Sequence, residues 1–132
     1  MTGRVLGVAT AQACSEILNF NYTSAMVTQA VFTAPFPMIV TSIVGRPRVA
    51  GSDGSAVSLS FYKAPSGTAV GSGTKLHSGS YDVKGTADTN QTLTLSNSIT
   101  DISLATGDSI GYVLTGTATA AVGAISITLE PA

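Results

Sequence analysis

The chain has 132 residues, 44% of them apolar and only 10% charged, with six basic against seven acidic side chains. That length suits one domain able to bury a core without metals or disulfides, and so low a charged share, against the roughly 25% usual for soluble domains, leaves the polar surface to Ser, Thr, Asn and Gly. A net charge of -1 without clustered Lys and Arg excludes a nucleic-acid groove, and no apolar run approaches the roughly 18 residues of a membrane span.

The chain opens on "MTGRVLGVATAQAC", which imitates a leader. Arg4 supplies a positive charge, Ala11-Gln12-Ala13 a cleavage-like triplet, and Cys14 a lipidation-like cysteine. The apolar stretch between them is short and broken by Gly7 and Thr10, so a removed leader is not expected. Cys14 is the single cysteine, so no internal disulfide forms, and it reads as an inert buried thiol. "SEILNFNY" fits either a short helix capped by Ser15 or an extended arm. The extended arm is the favoured expectation, giving an arm over residues 1–25 and a domain over 26–132.

From Met26 the strand pattern is clear. "MVTQAVF" is β-branched and apolar and closes on Pro35 and Pro37. "MIVTSIVG" is apolar on both faces, as in a covered strand. "AVSLSFY" alternates, with Val57, Leu59 and Phe61 on one side. A weaker strand is expected near Leu76 to Val83, then "QTLTLS" with Leu93 and Leu95 inward. "SIGYVLTGT" places Ile110, Tyr112 and Leu114 on one face, and "AISITLE" places Ile125, Ile127 and Leu129. "GSDGS", "APSGTAVGSGT", "KGTADTN" and "LATGD" supply the turns. No segment after Met26 shows a 3.6-residue period. Seven or eight short strands with regular turns predict an all-β sandwich, best a jelly roll of about eight antiparallel strands. An immunoglobulin-like sandwich is second, because its Cys, Trp, Cys pattern is missing.

Chemistry is tested next. "GDSI" at 107–110 is close to the Gly-Asp-Ser-Leu block of a serine esterase family. A nucleophile at Ser109 needs a base. The only histidine, His77, precedes it, no Asp-x-x-His pattern exists, and the helices of that α/β family are absent. The block reads instead as a turn, in which Gly107 takes a positive φ and Asp108 bonds nearby amides. His77 has no clustered ligands and reads as an exposed or hydrogen-bonded side chain. The acids Asp53, Asp82, Asp88, Asp101 and Asp108 sit mostly in turns, and neither "GSDGS" nor "KGTADTN" matches a calcium loop. Nothing singles out two of them as a glycosidase pair. "GTAVGSGTK" lacks the ending of a phosphate loop. Asn21-Tyr22-Thr23 and Asn90-Gln91-Thr92 match glycosylation acceptors, a triplet frequent by chance. No cofactor, metal or small-molecule substrate is expected. Arg46 and Arg48 flank Pro47 in the densest positive charge of the chain, as a solvated strand end or as a contact for a partner's carboxylates.

Low charge, richness in Thr, Ser, Gly and Ala, the N-terminal arm, and "LATGDSIGYVL" followed by "TATAAVGAISITLEP" together resemble the small jelly-roll cement, or decoration, proteins of tailed-phage capsids. The resemblance implies a homotrimer seated on the major capsid protein at the virion surface, assembled in the host cytoplasm and acting by binding. It also implies an arm that reaches a neighbour, with Arg4, Leu6, Val8, Phe20 and Tyr22 as contacts beside Arg46 and Arg48. The alternative is a phage fibre or spike domain, or a carbohydrate-binding module, with a site in loops 67–89 near Tyr62 and Tyr81. A cupin-like enzyme fails for want of histidines.

Overall fold

The computed structural model describes residues 15–132. Along them run β1 (Glu16–Tyr22), β2 (Gln29–Thr33), β3 (Met38–Val49), β4 (Ser58–Ala64), β5 (Thr74–Lys75), β6 (Tyr81–Asp82), β7 (Gln91–Thr92), β8 (Ser103–Leu104), β9 (Ser109–Thr115) and β10 (Val122–Pro131). A 3-10 turn spans Val70–Ser72, and a single helical turn, α1, spans Ile99–Ile102. All strand pairs are antiparallel. One sheet has the order β1-β10-β3-β7, with β8 also on β3; the other has β2-β9-β4-β5, with β6 also on β4. Each short pair occupies one lane, broken in the middle. Ten strands therefore fill eight lanes, in the orders 1-8-3-6 and 2-7-4-5. The strands β1 to β4 alternate between the sheets, and so do β9 and β10, which is the jelly-roll arrangement expected from the strand count and length.

Period-two patterning places the core. Leu59 and Phe61 of β4, Ile110 and Tyr112 of β9, Met38, Val40 and Ile43 of β3, and Ile125, Ile127 and Leu129 of β10 are all buried between the sheets. Burying each large apolar side chain contributes about 1.5–3 kcal/mol, so this interface outweighs anything the few surface charges offer. Val57 is buried and Leu114 half-buried, as the alternation requires.

Several expectations are corrected. The sandwich begins before residue 25: β1 pairs along its length with β10, from Glu16 opposite Leu129 to Tyr22 opposite Gly123. The extended conformation expected for "SEILNFNY" is right, but this stretch is a strand of the sandwich, at the edge of its sheet among the described residues. The rest of the expected arm, with Arg4, Leu6 and Val8, lies outside the described residues, as does Cys14. The strand expected near Leu76–Val83 is two dipeptide strands, Thr74–Lys75 just before that range and Tyr81–Asp82 inside it, with a bend at Ser78 and Gly79 between them. "QTLTLS" keeps only Gln91–Thr92 as strand, and α1 was not foreseen.

One side of the sandwich is closed. His77 bridges Leu95, the Ser78 N–H donates to the Thr94 carbonyl at 2.9 Å, and the Ser96 N–H donates to the Leu76 carbonyl at 3.0 Å. These bonds stitch the outer lane of one sheet to the outer lane of the other. Lys63 of β4 reinforces that side by donating to the carbonyls of Thr100 and Ser103 around the end of α1. On the opposite side, among the described residues, β1 and β2 form the outer lanes of the two sheets.

Candidate functional site

A groove of about 560 Å³ lies at one end of the β1-β10-β3 sheet. It is lined by Tyr22 and Thr23 from the end of β1, Arg46, Pro47 and Arg48 from β3, Asp88, and Val122 to Ala124 from β10. The local sequence explains its shape. Proline has no N–H for a ladder and sits in sheets at bulges or edges. Pro47 faces Gly123, next to a register shift between Val122 and Gly123. The alternation turns Pro47 inward and leaves Arg46 and Arg48 exposed on one face. The loop that follows β6 is held against the strand by the Asp88 N–H, which donates to the Pro47 carbonyl at 2.7 Å. Asp88 takes φ 60 there, a conformation that Asp and Asn tolerate best among side-chain-bearing residues.

Under the groove lies an aromatic pair. The Tyr22 and Tyr81 hydroxyls are 2.6 Å apart, with the rings edge-on at 5.8 Å between centroids. Both side chains are buried, and burial raises the pKa of each hydroxyl above its ordinary value. Two glycines make the space. A Cβ on Gly45 would fall 2.2 Å from the Tyr81 ring, and one on Gly123 would fall 2.3 Å from the Tyr22 hydroxyl.

The structure therefore brings Tyr22, Arg46 and Arg48 together, but it changes the role of Tyr22. Its side chain is 2% exposed and is a floor of the groove rather than a projecting contact. Phe20 is likewise drawn inward. It stacks on Tyr112 at 5.6 Å and 9° and tilts against Phe61, so it seals the seam between the sheets. The signal for both was present in "LNFNY", where Leu18, Phe20 and Tyr22 alternate with asparagines.

The Gly107–Asp108 turn behaves as expected. The Asp108 N–H donates to the Ala105 carbonyl, and Gly107 has φ 91 at the third position, the geometry a type II turn requires. The Asp108 carboxylate accepts from the Ala105 N–H at 2.9 Å. Backbone bonds from the Gly107 N–H to the Ala34 carbonyl and from the Ala34 N–H to the Asp108 carbonyl dock the turn on the chain leaving β2. Ser109 then enters β9 with its hydroxyl 2.7 Å from that of Thr33.

His77 is 3% exposed, not a loop side chain in solvent. Its Nε2 accepts from the Phe61 N–H at 2.9 Å, which leaves the proton on Nδ1, 2.8 Å from the Ser78 carbonyl that accepts it. Both nitrogens are engaged, so the imidazole is a structural bridge and offers no lone pair to a serine. Among the described residues no three His, Cys, Asp or Glu side chains form a metal-binding group, and no helix is long and apolar enough to cross a membrane. Asp53 and Asp82 each accept from an amide two residues on, from Ser55 and Lys84, which makes them turn residues.

No protein-family model matches the sequence, and no curated protein matches it. Solved structures do match. A chain in the capsid of Ralstonia phage GP4 is similar at 11% identity with a TM-score of 0.61, over 92% of this chain and 86% of that one. A chain of the cyanophage Pam1 capsid asymmetric unit is similar at 11% identity with a TM-score of 0.53, again over 92% and 86%. This chain shares its all-β sandwich fold, over nearly its whole length, with chains of two phage capsids.

Proposed function

We propose that the protein is a structural component of a phage virion, a cement protein that binds the outer capsid surface as a homotrimer and stabilises the shell. The observation that carries this reading is the likeness, over 92% of this chain, to chains in two phage capsids. The surface chemistry supports it. A face of small uncharged residues with few charges loses little hydration on contact with other protein. Repetition around a shell multiplies modest contacts into large avidity. The partners are then a second and third copy and the major capsid protein, with no nucleic acid, membrane or small ligand. A sugar-binding module is disfavoured, because Tyr81, one of its two candidate platforms, is 0% exposed.

The test is copy number. Purified particles should carry the protein at many copies in proportion to capsid subunits, and shells lacking it should rupture under milder heating. A few copies per particle, or binding to cells and glycans, would point to a fibre instead.

A further inference from the structure

The outward face of the β1-β10-β3 sheet is polar in its charge along the strands. Its outward positions on the three strands carry Arg46 and Arg48 at one end and Glu130 at the other, with Glu130 opposite Ile39 and Arg46 opposite Ala124. Glu16, exposed at the start of β1 and opposite the buried Leu129, points by alternation to the other side of the sheet from Glu130 but lies at the same end. Six residue steps along β10, from Ala124 to Glu130, separate the two ends, about 20 Å at strand rise. Between them the face holds residues such as Asn19, Asn21, Ala124, Ser126 and Thr128, with the Ser126 hydroxyl donating to Asn19 at 2.6 Å. The basic end is concave, being the groove, where Asp88 lines the wall beside the two arginines. The acidic end is an exposed rim.

Resting on the homotrimer reading, we propose that copies of the chain join head to tail, with the Arg46–Arg48 groove of one receiving the Glu16–Glu130 rim of the next. Two different patches meeting in this way form a heterologous contact, the kind a threefold ring requires. Charges at such a rim act chiefly on orientation. Opposite charges permit the head-to-tail register, and like charges reject head-to-head pairing. The planar guanidinium suits Arg for a carboxylate partner.

Light scattering on the full chain tests this. Wild type should be a trimer whose dissociation concentration rises as salt screens the contact. R46E/R48E and E16R/E130R should each raise that concentration about tenfold or more, while circular dichroism and the melting curve stay as in wild type. The four-fold swap in one chain should restore the trimer. The neutral R46Q/R48Q should weaken it by less, and it serves should a reversal disturb folding. A trimer untouched by either reversal, or a swap that fails to recover it, overturns the head-to-tail contact and leaves the trimer standing. Loss of shell binding by R46E/R48E with the trimer intact also overturns it, assigning the groove to the capsid protein. A wild-type monomer or dimer overturns the trimer reading itself.

Discussion

At the scale of single residues, the side chains that look chemical have been taken into the architecture. His77 is the clearest case. Its Nε2 must be unprotonated to accept from Phe61, and burial, the largest cause, lowers its pKa below the ordinary value, helped by Lys75, against the opposing bond to Ser78. The unfolded chain takes up a proton near pH 6.5 and the folded chain does so only lower. Stability from this group is therefore complete above about pH 6.5 and falls as pH drops from there towards the lowered value. The urea midpoint should decline between about pH 7.5 and 5, and less steeply in His77→Gln, which cannot titrate; equal slopes would refute the argument. The tyrosine pair makes a second expectation. Tyr81→Phe leaves the buried Tyr22 hydroxyl without its 2.6 Å partner and should cost about 1–3 kcal/mol. Adding Tyr22→Phe should cost much less than its single-variant value, because the orphaned group is gone. Additive losses in denaturant titrations would deny the coupling. None of this was legible in "KLHSGSYD", since a histidine among Gly and Ser gives no hint that two sheets meet there.

At the scale of elements, legibility followed the length and regularity of pairing. β10 buries alternate residues from Gly123 to Leu129, β4 buries Leu59 and Phe61 between serines, and β9 buries Ile110 and Tyr112 around a glycine, and period two in the large side chains reveals them. The turn at Gly107–Asp108 was legible because only a few residue types satisfy its backbone. The dipeptide strands were not, because two residues carry no period, and their pairing is set by the neighbouring strand. β1 is the instructive miss. "ILNFNY" carries the alternation, but its asparagines and its place beside an unpatterned N-terminus suggested an arm. Its inward Leu18, Phe20 and Tyr22 pack against the core of the sandwich. If residues 1–25 were a detachable arm, their removal would leave the domain folded. The pairing with β10 implies the opposite. Deleting residues 1–22 should expose the β10 edge and the flank of Ile125 and Ile127, giving aggregation or loss of the cooperative melt. A truncated chain that melts as wild type would return β1 to the arm.

At the scale of the whole molecule, the lane order has a kinetic consequence. β1 and β2 lie in different sheets, as do β3 and β4, and as do β9 and β10. The long partners are distant in sequence: β1 with β10, β2 with β9, β3 with β10 and β4 with β9. Little can form by local hairpins, so loop-closure entropy must be met before most contacts reward it. The closing bridge at His77 and Leu95 joins lanes that already depend on β4 and β3, so it cannot nucleate the fold by itself. Refolding from denaturant should therefore take roughly milliseconds to seconds. Substitutions at Ile125 or Ile127, in a strand flanked on both sides by distant partners, should slow refolding more than substitutions at Leu95. Stopped-flow fluorescence of the four tyrosines can follow this, and a microsecond phase carrying the full amplitude would contradict it. Slow pairing also leaves strand edges open before the sandwich closes. Completing the fold before its uncharged faces meet another chain therefore limits aggregation.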